Sequence, residues 1–199
     1  MKKKVLIIDN YDSFVWNLFQ AVGKFGGNPE IFRNDEISTP EIKKAKFTHI
    51  IFSPGPGSPE IKRDVGICPD VLKEIKVPIF GVCLGFQTIA YFFGKKIIHA
   101  PTICHGKTSQ VILTKEGQSS PIFQGIPKKF EVMRYHSLIP EETPESFSVT
   151  SETQDKVLMS FENRDKNIFG VQFHPESFAT EFGENMIENF LNLYTPSHK

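Results

Sequence analysis

The run Val77-Pro-Ile-Phe-Gly-Val-Cys-Leu-Gly-Phe-Gln87 constrains the fold more than any other stretch of this chain. An apolar strand ends abruptly in Gly81-x-Cys83-x-Gly85, and a helix follows at once. Such a strand-to-helix turn holds its central residue in a strained backbone conformation, with the side chain projecting from the sheet edge. Glycines two before and two after it are needed because larger side chains would collide across the turn. The helix N-terminus also presents partial positive charge to an anionic sulfur. Position, exposure and activation of a nucleophile thus come from one short motif.

The first half of the chain supplies the sheet around that turn. Val5-Leu-Ile-Ile8, ending in Asp9-Asn10, reads as a buried parallel strand. Phe14, Leu18, Val22 and Phe25 recur at helical spacing, with Asp12 or Ser13 as N-cap and Gly26-Gly27 as the stop. Pro29 to Phe32 is a second strand, and Ser38-Thr-Pro-Glu41 starts a helix with capping-box spacing. His49 to Ser53 is a third strand, running into Pro54-Gly-Pro-Gly-Ser-Pro59. Pro69 to Ile75 is a short helix and Ile79 to Val82 the fourth strand. The elbow helix continues through Thr88 to Phe93, where Gly94 stops it. This alternation predicts an α/β fold with a mostly parallel central sheet and helices on both faces. Functional groups then gather at the carboxyl ends of the strands.

From about residue 96 the pattern changes. Gln110 to Thr114, Phe130 to Tyr135, Phe147 to Thr150, Val157 to Glu162 and Ile168 to Phe173 read as short strands. They are expected as antiparallel additions to the same sheet, or as a small second one. A terminal helix begins near Thr180, with Phe182, Met186, Phe190 and Leu193 on one stripe.

The partner for Cys83 lies in Gly170-Val-Gln-Phe-His-Pro-Glu176. In an extended chain residues i and i+2 share a face, and Pro175 pushes His174 toward extended geometry. Glu176 then lies beside His174, selects its tautomer and stabilises its cation. His174 is the expected general base for Cys83 and later the acid for the leaving group.

Bulk properties exclude several classes. At 199 residues, without linker, charge block or low-complexity stretch, residues 1–199 are read as one domain. The 23 basic and 23 acidic residues balance, so the footprint of a nucleic-acid binder is missing. Lys2-Lys3-Lys4 is the one basic cluster, read as a solvated start to the first strand. No segment approaches membrane-span length, and Val5 to Ile8 is too short for a signal-peptide core. Three cysteines without CxxC spacing argue for a reducing, cytoplasmic setting, with Cys68 and Cys104 as small buried hydrophobes. His99, Cys104 and His105 match no structural zinc spacing, so no metal is expected.

Other motifs are less decisive alone. Pro54-Gly-Pro-Gly57 lacks both the Walker ending and the dinucleotide pattern. It is either a rigid turn or a phosphate cradle, and next to a thiolate nucleophile a third role opens. An oxyanion needs two preorganised donors. The Leu84 amide is one, and the Gly57 amide is the second choice; Pro56 has no N–H to give. Gln87, one helical turn after the nucleophile, either faces the pocket or is solvated. His136 in Arg134-Tyr-His-Ser-Leu138 is as compatible with structure as with function.

Together these elements resemble the class I, triad-type glutamine amidotransferases, above all the glutaminase subunits of anthranilate synthase and aminodeoxychorismate synthase. The matching motifs are Asp9-Asn-Tyr-Asp-Ser-Phe14, Arg33-Asn-Asp35, Ser53-Pro-Gly-Pro-Gly57, Gly81-Val-Cys-Leu-Gly85, His105-Gly-Lys-Thr-Ser109, Arg134-Tyr-His-Ser-Leu138 and Gly170 to Ser177. The resemblance implies a Cys83–His174–Glu176 triad, glutamine contacts from Gly55, Pro56, Gly57, Gln87, Ser137 and Leu138, and a glutamyl thioester that releases ammonia. It implies no cofactor in this chain and a magnesium-dependent synthase as partner. Phe86 departs from the family's usual histidine, which alters either the packing of the elbow or a partner contact.

Ammonia released into neutral water is protonated and loses its nucleophilicity, so a chorismate-using synthase is expected to cover the pocket. Candidate contacts are Tyr11, Asp12 and Ser13 in the first loop, His105 and Lys107, and Ser177. Anthranilate synthase is the first choice; the aminodeoxychorismate branch, or service to both, is the alternative. A stand-alone cysteine hydrolase of γ-glutamyl compounds and a non-catalytic regulatory module are the remoter ones.

Overall fold

The computed structural model describes residues 3–193. Met1, Lys2 and the last six residues lie outside that range, so the basic cluster is described only from Lys3 onward. Among the described residues nine strands form one sheet. β1 (Lys3–Asp9), α1 (Val15–Lys24), β2 (Gly27–Arg33), α2 (Thr39–Ala45) and β3 (His49–Phe52) come first, then the helical pieces α3 (Lys62–Val65) and α4 (Cys68–Glu74). β4 (Ile79–Val82) leads through the cysteine turn into α5 (Leu84–Phe92). β5 (Ile97–Leu113), α6 (Lys115–Gln118), β6 (Lys129–Pro140), β7 (Ser148–Thr153), β8 (Leu158–Asn163), β9 (Ile168–Val171) and α7 (Gly183–Leu191) complete the order.

The strand order is β2-β1-β3-β4-β9-β8-β7-β5-β6. β2, β1, β3, β4 and β9 run parallel, and β8, β7, β5 and β6 extend the sheet by antiparallel pairing. The antiparallel strands are therefore additions to the same sheet. β1 shows why the sheet is covered twice. Val5 and Ile7 enter a core shared with Leu18 and Val22 of α1 and Met186 and Phe190 of α7. Leu6 and Ile8, pointing the other way, enter a core with Ile42, Val71, Leu72 and Ile89 of α2, α4 and α5.

Several boundaries differ from the sequence expectation. α1 starts at Val15, and Asp12 closes a turn before it by accepting from the Phe14 amide at 3.1 Å, so neither Asp12 nor Ser13 is its N-cap. Ser38 and Glu41 do form a capping box. β5 runs for 17 residues, far upstream of the expected Gln110 start, because most of its first half is exposed on both faces and shows no alternation. The last strand stops at Val171, so residues 172–176 lie beyond the sheet. Phe182 precedes α7 in a left-handed conformation (φ 57°) rather than joining its buried stripe.

Topology places the site. β1 has β2 on one side and β3 on the other, so the chain reverses direction there, and the carboxyl ends of β1, β3, β4 and β9 open on one edge. Asn10 ties two of the resulting loops together: its amide N–H donates to Ser53 Oγ at 2.9 Å and its Nδ2 donates to the Ser53 carbonyl at 2.9 Å.

Candidate active site

Cys83 sits between β4 and α5 with φ 51° and ψ −101°, the strained conformation expected of the turn. A Cβ on Gly81 would lie 2.7 Å from the Gly85 carbonyl oxygen, and one on Gly85 would lie 2.6 Å from the Phe52 carbonyl oxygen. Both glycines are therefore fixed by backbone. The Cys83 amide donates to the Val171 carbonyl at 2.9 Å, which locks the elbow to β9.

That same bond sets the histidine. From Val171 the chain runs through Gln172 and Phe173 to His174, whose amide donates to Met133 O on β6 at 3.1 Å. Thr180 fastens the other side: its hydroxyl donates to the His174 carbonyl at 2.6 Å and accepts from the Met133 amide at 3.0 Å. His174 Nδ1 lies 2.6 Å from Glu176 Oε1, and both side chains are almost wholly buried. The pair closes through a turn, not through extended chain: the Ser177 amide donates to the His174 carbonyl at 3.2 Å, with Pro175 at the second position. Proline thus helps as a turn former, and the expected i, i+2 strand geometry is corrected.

Glu176 accepts at Nδ1, which leaves Nε2 as the working nitrogen. Nε2 is buried without an aligned partner in the resting arrangement. Burial pulls the imidazole pKa down. The negative charge and hydrogen bonding of the Cys83 sulfur, followed by Glu176, outweigh it and hold the pKa well above 6.5. These neighbours favour the protonated imidazole of His174. Tyr135 meets the imidazole edge-on, ring centroids 5.1 Å apart.

The loop after β3 packs against the elbow. A Cβ on Gly55 would touch the Leu84 side chain at 3.0 Å. Pro56 and Gly57 are exposed at the loop tip, and Gly57 has φ 101°, beyond the reach of other residues without strain. Leu84 is the first residue of α5, where an amide has no intrahelical acceptor.

Gln87 is buried rather than solvated. Its Nε2 donates to the Leu138 carbonyl at 2.8 Å and to Gln172 Oε1 at 3.1 Å. Ser137 and Leu138 are half-buried beside it. His136 is buried: Arg134 Nε donates to its Nε2 at 3.0 Å, and its Nδ1 donates to the Leu138 carbonyl at 3.0 Å. Burial and then the Arg134 charge lower its pKa to about 4, so it stays neutral. Gln172 went unassigned in the sequence; the structure places its Nε2 3.6 Å from Cys83 Sγ. Only the β4–β9 pairing reveals it.

The first loop approaches from the other side. Phe14 stacks on Tyr135 at 6.0 Å, and Tyr135 pairs with His105 across β5 and β6, so the Tyr11–Ser13 and His105–Lys107 segments both border His174. Tyr11 has φ 60° and is held by hydrogen bonds from its hydroxyl to both Asp35 oxygens and by the Arg33 guanidinium over its ring. Burial and then the Glu176 charge raise the Asp12 pKa to about 6. Ser177 is half-buried at the turn, and Phe178 beside it is fully exposed at 101%. Phe86, by contrast, is fully buried and stacks on Phe161 at 4.3 Å, so its departure from the family pattern is a matter of core packing. Among the described residues no cluster of His, Cys, Asp and Glu has metal-binding geometry, and no helix is long and apolar enough to cross a membrane.

Comparison with known proteins gives the family. Residues 6–193 match the family model for class-I glutamine amidotransferases. The chain is 43% identical over 194 residues to the aminodeoxychorismate/anthranilate synthase component 2 of Bacillus subtilis, covering 96% of each. It is 47% identical over 197 residues to the bifunctional protein TrpGD of Thermotoga maritima, covering 96% of this chain but only 32% of that longer protein. The crystal structure of a putative GMP synthase subunit from Thermoplasma acidophilum superposes with a TM-score of 0.85 at 23% identity, covering 96% of this chain and 93% of that one, and shares the fold.

Proposed function

This chain belongs to the class-I glutamine amidotransferase family, and from that premise we propose that it is the glutaminase subunit of a chorismate-using synthase. The observation that carries the reading is the buried His174–Glu176 pair, with Nε2 uncommitted and its proton affinity raised by the Cys83 sulfur.

Cys83 hands its proton to His174 and attacks the side-chain amide carbon of L-glutamine. Electrons move onto the carbonyl oxygen, which the Leu84 and Gly57 amides hold. The Nε2 proton passes to the departing nitrogen, ammonia leaves, and a γ-glutamyl thioester remains. His174, now neutral, takes a proton from water as its oxygen attacks the thioester carbon. The C–S bond breaks, glutamate departs, and the sulfur returns to its starting state. Gly55, Pro56, Ser137 and Leu138 line the glutamine pocket, and Gln87 supports it from below.

Ammonia must reach its acceptor unprotonated. The exposed aromatic residues Tyr11, Phe14, Tyr135 and Phe178, on the segments that border His174, supply an apolar rim for a synthase to cover. Asp12, Ser13, His105, Lys107 and Ser177 belong to the same contact. Anthranilate synthase is the first partner proposed, with the aminodeoxychorismate synthase of folate synthesis as alternative or second client; the Bacillus subtilis relative carries both in its name. The free thiols Cys68, Cys83 and Cys104 suit a reducing compartment, and we place the complex in the cytoplasm.

The test is reconstitution. Adding each purified synthase should raise glutamine turnover and form a stable complex with at least one. Rapid hydrolysis by the isolated chain, unchanged by either synthase, would instead identify a stand-alone hydrolase.

A further inference from the structure

We propose that Gln172 is a positioning residue for the nucleophile, presenting an amide N–H to the Cys83 sulfur and kept in that orientation by Gln87 and the Leu138 carbonyl. The inference rests on Cys83 being the nucleophile.

The placement follows from sheet register. Val82 of β4 lies opposite Val171 of β9, and both strands end there. The next residues, Cys83 and Gln172, leave the sheet side by side. Gln172 is fully buried, its backbone fixed by donation to Met159 O at 2.8 Å.

The orientation of its amide is determined by a chain of groups with only one allowed sense. Arg134 has only donors, so its Nε makes His136 Nε2 an acceptor. The proton of His136 is then on Nδ1 and donates to the Leu138 carbonyl, which also accepts from Gln87 Nε2. A carbonyl accepts only, so a flipped Gln87 would set two oxygens against each other. With Gln87 fixed, its N–H requires the oxygen of Gln172, and the Gln172 NH2 must face the sulfur at 3.6 Å. A flipped Gln172 would place carbonyl oxygen against the sulfur lone pairs.

A donor there interacts strongly with an anionic sulfur and weakly with a thioester. It holds the thiolate lone pairs in one direction before attack and favours departure of the same thiolate when water cleaves the acyl-enzyme. His174 and Gln172 thus flank the sulfur with different tasks: the imidazole moves the proton, and the amide holds the anion. Because these hydrogen bonds pass through Leu138, on the strand end assigned to glutamine, occupancy of the pocket and orientation of the sulfur share one network.

The test compares wild type with Gln172→Met, which keeps the volume and removes the donor. Iodoacetamide alkylation of Cys83 is followed against pH in the free chain, and kcat and KM for glutamine are measured in the synthase complex. The variant should need a pH higher by about one unit for half-maximal alkylation and lose about tenfold in kcat, with KM within about twofold. An unchanged alkylation profile with unchanged kcat, or an effect on KM alone, would overturn the proposal and leave the glutaminase reading intact. If the variant does not fold, the wild type still decides. Alkylating Cys83 should shift the Gln172 side-chain amide resonances and speed their exchange, and unaltered resonances would refute the contact. Wild-type Cys83 that resists alkylation while glutamine still turns over would remove the nucleophile itself, and this inference with it.

Discussion

The early strands of the sheet, β1 to β4, and the later ones, β5 to β9, of which β9 runs parallel to β4 and the rest pair antiparallel, contribute to the site in different ways. The early strands set the nucleophile by local means: two glycines pressed against backbone, a strained φ and a helix starting one residue later. The later strands set the imidazole by long-range means. His174 is fastened to β6 through Met133, to Thr180 through its carbonyl, and to the elbow through β9 beside β4. Chemistry at the boundary therefore needs the two halves in register. Local strain and a helix N-terminus present the proposed nucleophile, and tertiary pairing brings the proposed base to it.

The sharpest way to break this contrast is to remove one contribution at a time. Cys83→Ala should cut glutamine-dependent product by about 10⁴-fold or more while synthesis from added ammonium salts persists in the complex. Loss of both activities would mean that the cysteine is structural. Glu176→Gln keeps the turn but removes the charge beside Nδ1, so kcat should fall by about 10²- to 10³-fold. A fall below tenfold would show that the carboxylate adds little to orientation.

The two halves also differed in how much the sequence disclosed, for the same physical reason. Strands buried on both faces, such as Val5 to Ile8 and His49 to Phe52, read as unbroken apolar runs, and their helices carried clear stripes. The capping box at Ser38 and Glu41 was equally plain. β5 was not, because residues 101–103 and 105–108 are exposed and carry no period. The proposed triad was legible in Gly81-x-Cys83-x-Gly85 and His174-Pro-Glu176, since each motif is local. Gln172 was not, because its partner is named by strand register, which no run of residues reveals. Phe182 followed the helical stripe in sequence yet sits in a left-handed cap and is exposed.

Glycines sharpen the comparison in stability. Gly85→Ala drives a methyl group into the Phe52 carbonyl and should cost ~3 kcal/mol or more by chemical denaturation. Gly106→Ala, in β5, meets only the Tyr135 ring at 3.5 Å and bears mainly the cost of its φ of 63°, about 1 kcal/mol. Equal costs would erase the distinction between a backbone-locked elbow and a tolerant hairpin.

Acid stability gives a smaller test. His49 on β3 is buried against Phe190, and burial, its largest cause, lowers its pKa to about 4. Above pH 6.5 it is neutral in both states and has no effect. As pH falls from 6.5 toward 4 the unfolded chain takes up a proton that the folded chain refuses, and stability drops by about 3 kcal/mol. His136, lowered to about 4 in the later strands, contributes in the same window. His49→Phe should therefore remove about half of the acid loss in Tm. An unchanged slope would show that His49 does not titrate on unfolding.

The most direct measurement is to mix the complex with glutamine, quench in acid and map the modified peptide by mass. The account predicts one γ-glutamyl group on Cys83, absent in Cys83→Ala, and accumulating in Glu176→Gln if water attack slows more than acylation. Steady glutamine turnover with no adduct at Cys83 under any quench would contradict it.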